Sequence, residues 1–92
     1  MSLAEVRTRI DELDDQIVAL LARRQRHVKQ AARYKQDDTA VRVPGRRAQM
    51  MRRLRERAVE EGVDPEVVES VYTAMIDAFI QLELREHKGA RP

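Results

Sequence analysis

Apolar residues recur along the first third of the chain at Leu3, Val6, Ile10, Leu13, Ile17 and Leu20, at intervals alternating between three and four. That is the heptad seam of a long helix. The same count runs on through Arg24, His27, Ala31 and Tyr34. The spacing therefore predicts one helix over about 3–36, roughly 50 Å long at about 1.5 Å per residue. Ser2 is placed to cap it, with Glu5 three residues on as in a capping box. The stretch QDDTAVRVPG (36–45) has no helical period and reads as a loop. A second helix is predicted from near Pro44–Arg46, with Met50, Met51, Leu54 and Ala58 on one face and a stop at Gly62. Asp64 and Pro65 then supply an N-cap and a first-turn proline for a third helix. Its stripe is Val68, Tyr72, Met75, Ile76 and Phe79, and it ends near His87–Gly89. No strand pattern, internal repeat or low-complexity tract interrupts this. The predicted class is all-α, one long and two shorter helices, in a single domain over 1–92.

Two shorter helices cannot cover the whole seam of the long one. Its uncovered apolar half calls for a second copy, and an intertwined helical homodimer is the expected assembly. Composition narrows the chemistry. Aromatics are only 3% of 92 residues, so the core is aliphatic. The absence of cysteine excludes disulfides, a thiolate nucleophile and a cysteine zinc site. Eighteen Lys and Arg against sixteen Asp and Glu leave charge nearly balanced overall, which still permits local patches. No apolar run approaches a membrane span and no signal-peptide pattern opens the chain, so a cytoplasmic protein without membrane partners is expected.

The seam contains residues that do not belong in one. Arg24, Val28, Ala31 and Lys35 share a helical face, two small-to-medium apolar residues between two cations. In the third helix the stripe Tyr72, Ile76, Phe79 leads to Glu83, and in the second Arg46 and Arg47 precede the methionines. A buried cation without a partner is expensive. Long side chains at a seam edge also snorkel to solvent, and Glu83 is a ready counter-charge for Arg24. Three helices each bringing an ionisable group to the core-facing stripe nevertheless point to an enclosed, arginine-rich pocket for a small dicarboxylate. Asp11, Asp14 and Asp15 are expected to pair with arginines of the second helix. Without histidine support they make no metal site. His27 lies in the seam away from the Arg24 face and is expected at a dimer interface.

The segment VRTRIDELDDQIVALLARRQRHVKQAARYK resembles the all-α chorismate mutases. The likeness rests on Arg-x-x-Ile-Asp-x-x-Asp from Arg7 to Asp14, then Leu-Leu-x-x-Arg-Arg, then Lys35. It covers residues 3 to about 86. The resemblance implies two interlocked chains whose active sites use residues of both. Carried over by position, Arg24 and the Arg7 of a second copy hold the two substrate carboxylates. Lys35 and Glu83 act on the ether oxygen, and Arg46 closes over the ligand. Val28, Ala31, Phe79 and Ile80 line the site. The implied reaction, chorismate to prephenate on the route to aromatic amino acids, is a unimolecular bond exchange that asks for no nucleophile, metal or cofactor. It is served by confinement of the reactive conformer and by charge stabilisation. A carboxylate cannot donate a hydrogen bond, so Glu83 is expected to act protonated.

The chain also departs from that pattern. Val43 and Arg47 stand where mutases carry acids, and Phe79 stands where a small hydroxyl residue is common. Val-Pro-Gly-Arg (43–46) with Val28, Phe79 and Ile80 is closer to related isochorismate pyruvate lyases, which leave salicylate. A third branch rearranges 4-amino-4-deoxychorismate. A rival from another class is a basic nucleic-acid-binding dimer, since RVPGRRAQMMRRLRER holds seven arginines against one acid. Its arginines spread around the helix without interleaved aromatics, which argues against a phosphate-tracking stripe.

Overall fold

The computed structural model describes residues 1–34 and 44–89, with the side chains of Pro44 and of 87–89 excepted. Three helices follow in order: α1 (Leu3–Ala32), α2 (Pro44–Glu61) and α3 (Pro65–Gly89). The described residues contain no strand. The chain is all-α, as the periodicity predicts.

Each boundary has a local cause. The Ser2 side chain accepts a hydrogen bond from the Glu5 N–H at 3.1 Å and caps α1. At the other end Arg33 and Tyr34 donate to the carbonyls of Gln30 and Ala31, i to i−3 bonds that tighten and close the last turn. The helix thus stops at Ala32, short of the predicted 36. Between α2 and α3, Gly62 adopts φ +77°. Its N–H donates to Val59 O while the Val63 N–H reaches back to Ala58 O at 2.8 Å. This pair of bonds is a Schellman closure, which needs the left-handed residue that glycine supplies. Asp64 then caps α3, its carboxylate accepting from the Glu66 N–H at 2.9 Å.

α2 and α3 form an antiparallel hairpin, tied by Arg47–Asp77 at 2.8 Å and Arg55–Glu69 at 2.5 Å. Met50, Met51, Leu54 and Ala58 of α2 face Val68, Tyr72, Met75 and Ile76 of α3, and these positions are buried or half-buried. α1 runs parallel to α3 and touches it only with its second half. Arg24 meets Phe79, and Lys29 pairs with Glu86 at 3.1 Å. The inward residues of α1 are Leu21, Arg24, Val28 and Ala32.

Every residue before Leu21 is exposed, including Ile10 at 50% and Leu13 at 55%. The predicted apolar seam is therefore bare in the single chain. The radius of gyration is 16.3 Å, against about 12 Å for a compact chain of this length. Exposed surface is 7317 Å², against roughly 5,500 Å² for a folded monomer of this mass. The only buried apolar residues among those described are Ala58 and Ile76. The first half of α1 adds nothing to this core within the chain. Among the described residues, no helix is long and apolar enough to cross a membrane.

Candidate active site

The site forms where the second half of α1 lies along the second half of α3. Arg24 is placed there by the heptad count, one turn beyond the last leucines of α1, so its side chain enters the α1–α3 contact instead of solvent. Its guanidinium carbon lies 4.7 Å from the centre of the Phe79 ring. Such stacking holds the planar group in one orientation and leaves its edge free for a bidentate acceptor. Nη1 is cut off from solvent and has no hydrogen-bond partner among the described residues. A desolvated N–H without an acceptor is costly, which marks this as a place where an acceptor is wanted.

One turn beyond Phe79, roughly 6 Å along α3 at about 1.5 Å per residue, is Glu83. It is a buried ionisable residue, 8% exposed. Val28, one turn beyond Arg24 in α1, and Ile80, next to Phe79 in α3, are half-buried. Arginine, aromatic ring and buried carboxyl thus stand along one strip, walled by aliphatic side chains. That is a surface suited to a compact anion with an apolar body.

Of the residues singled out in the sequence, the fold sets Arg24 against Phe79, with Val28 and Ile80 half-buried and Glu83 buried in the same stretches of α1 and α3. Ala31 is exposed in the single chain, and Ala32 takes the inward position in that turn. Arg46 is exposed at the start of α2. Lys35 lies outside the described residues. Arg7 is exposed near the start of α1. Seventeen residues of continuous helix put it about 25 Å from Arg24, so the same chain's Arg7 cannot join this site. Arg47 is held by Asp77 of α3, and α2's Arg55 by Glu69. The α1 acids Asp11, Asp14 and Asp15 therefore do not neutralise these two arginines within the chain. His27 is exposed, its Nδ1 2.8 Å from Gln30 Oε1.

Sequence reasoning missed Leu21, Ala32 and the Lys29–Glu86 pair. The signal was present in the apolar doublet Leu20–Leu21, which serves two faces. Leu20 continues the bare seam and Leu21 meets α3. Among the described residues no cluster of histidine and acidic side chains is arranged to hold a metal ion.

Comparison with known proteins identifies the family. Over 89 residues the chain is 34% identical to a protein of Pseudomonas aeruginosa named isochorismate pyruvate lyase, covering 97% of this chain and 88% of that one. Residues 6–84, from the bare half of α1 through the Arg24–Phe79–Glu83 strip, match the family described as chorismate mutase type II. The chain belongs to the chorismate mutase type II family.

Proposed function

We propose that the protein is a chorismate mutase that works as a homodimer. The observation that carries this reading is Arg24: a guanidinium stacked on Phe79, with a desolvated Nη1 that no described residue satisfies. A substrate carboxylate supplies the missing acceptor. The second carboxylate is held by Arg7 from a second copy, whose α1 covers the exposed seam. Arg46 closes the shell from the start of α2. Val28, Ala31 and Ile80 confine the ring, so that the reactive bent conformer is selected. Lys35 and Glu83 act on the ether oxygen as its bond to carbon breaks and the new carbon–carbon bond forms. The setting is the cytoplasm, and the pathway that of the aromatic amino acids.

Glu83→Gln keeps a side chain of the same size that can donate a hydrogen bond, so it is expected to retain turnover, whereas Glu83→Ala is expected to lose it. An equal loss in both variants removes Glu83 from the donor role.

The likeness to the Pseudomonas aeruginosa isochorismate pyruvate lyase favours a second reading, elimination of pyruvate from isochorismate. The Val-Pro-Gly-Arg stretch and Phe79 support it as well. The deciding experiment offers chorismate, isochorismate and 4-amino-4-deoxychorismate separately and identifies the products. Prephenate as the fastest product sustains the mutase. Salicylate formed far faster than prephenate establishes the lyase on the same scaffold. Turnover of none of the three, by folded protein, ends the enzymatic reading.

A further inference from the structure

Charge along α1 changes sign. Up to Leu20 acids outnumber bases, whereas from Arg23 to Arg33 all five charged residues are cations. α2 is rich in arginine. Arg46, Arg52 and Arg53 are exposed and make no ion pair among the described residues, unlike Arg47, Arg55 and Arg57; of the three, Arg46 and Arg53 stand seven residues apart on one face. Asp11 and Asp14 are likewise exposed and unpaired there. A single chain thus displays an acidic strip and a basic strip that do not meet.

Their spacings match. Arg7, Asp11, Asp14 and Val18 occupy i, i+4, i+7 and i+11 of α1, on one flank of the bare apolar seam. Arg46, Met50, Arg53 and Arg57 occupy the same intervals on α2. Direction can also be settled. α1 runs parallel to α3, and α2 antiparallel to it, so within one chain α1 and α2 are antiparallel. A two-fold dimer in which Arg7 of each copy serves the other's Arg24 requires the two α1 helices to be antiparallel. The second copy's α1 therefore runs parallel to α2. With Arg7 near the Arg46 end, Asp14 falls seven residues along one helix while Arg53 falls seven along the other, about 10 Å in each case.

We propose that Asp14 of each copy pairs with Arg53 of the other, with Asp11 beside it, and that this strap fixes the register in which Arg7 reaches the Arg24 site. The occupant of the surface is a second copy of this chain. The proposal rests on the dimeric reading above. The apolar seam supplies most of the attraction but tolerates sliding by a heptad. A charged pair flanking it penalises wrong registers, as complementary charge does beside a coiled-coil seam.

The test is a charge swap, read by analytical sedimentation and native mass spectrometry at low salt, with circular dichroism checking that each variant keeps its helices. Asp14→Lys alone and Arg53→Glu alone each place like charges together, and each is expected to weaken the homodimer roughly tenfold or more. High salt should narrow that gap. Mixed together, the two variants restore both pairs, so heterodimer should exceed its random share. If Asp14→Lys and Arg53→Glu leave the dissociation constant unchanged and mix at random, the strap is refuted while the dimer stands. A wild-type chain that sediments as a monomer refutes the dimer and the strap together.

Discussion

The two halves of α1 are built from one heptad pattern and end in opposite circumstances. From Leu21 onward the helix lies on α3, its inward positions are half-buried, and Lys29 is paired across the contact. Before Leu21 the same pattern of apolar residues stands wholly in solvent. The difference lies in what each half meets. The apolar residues of the bare half are the stronger set, with Leu3, Val6, Ile10, Leu13, Ile17 and Leu20 against Leu21, Val28 and Ala32. The half that contacts its own chain has given up its apolar residue at 24 for a guanidinium. On the proposed reading, burial energy is kept for the surface that a second copy covers and relinquished where the ligand is gripped, so that stability and chemistry are divided along one helix.

The largest effect is expected where the pattern is broken. Arg24→Ala removes a preorganised, desolvated donor, and such losses reduce turnover by about a hundred- to a thousandfold. Arg24→Lys should recover little, because an ammonium neither stacks flat on Phe79 nor forms a bidentate pair. Steady-state kinetics on the preferred substrate measures both. Near wild-type activity in Arg24→Ala would mean that the second half of α1 is merely packing. Next comes the bare half. Ile10→Asp alters nothing that the single chain buries, yet should weaken association by about thirtyfold or more, the scale of a central interface residue. Activity should fall with it and recover at high protein concentration. A variant that stays associated and active would remove the first half of α1 from any interface.

Much of this was legible in the sequence. The three helices, the stop at Gly62 and the cap at Asp64 follow from spacing and turn chemistry that act over a few residues. Arg24 and Glu83 were visible as charges interrupting apolar stripes. Helix rotation was less legible. A strict heptad drifts by about 20° per repeat against a straight helix. Counting from Leu3 therefore reaches His27 and Ala31, while the contact with α3 falls one residue further on, at Val28 and Ala32. Which of two neighbouring residues turns inward depends on where α3 crosses, and no local pattern in α1 encodes that. The end of α1 at Ala32, four residues early, has the same character. Continued apolar spacing through Tyr34 promised helix, whereas the bonds made by Arg33 and Tyr34 close it.

A subtler probe of the gripping half is Phe79. Its ring orients Arg24 without replacing any of that residue's hydrogen bonds. Phe79→Leu keeps an apolar wall and loses the ring, an interaction worth about 0.5–1 kcal/mol at exposed sites and about 2 when desolvated. The expected outcome is a KM raised roughly three- to tenfold with kcat less affected, and Phe79→Tyr should remain close to wild type. A loss shared equally by Leu and Tyr would indicate a steric role for Phe79 and none in stacking.

The smallest effect tests the hairpin that supports the grip without touching it. Gly62 sits at φ +77° with nothing within 4 Å of where a Cβ would project. Gly62→Ala therefore meets no clash, and its cost is only that of holding an L-residue in the left-handed region, about 1–2 kcal/mol. Chemical denaturation should show that loss. Kinetics at temperatures where the variant stays folded should be unchanged, because α2 and α3 remain joined by Arg47–Asp77 and Arg55–Glu69. Should turnover fall in step with stability, the hairpin would be moving with the chemistry and not only supporting it.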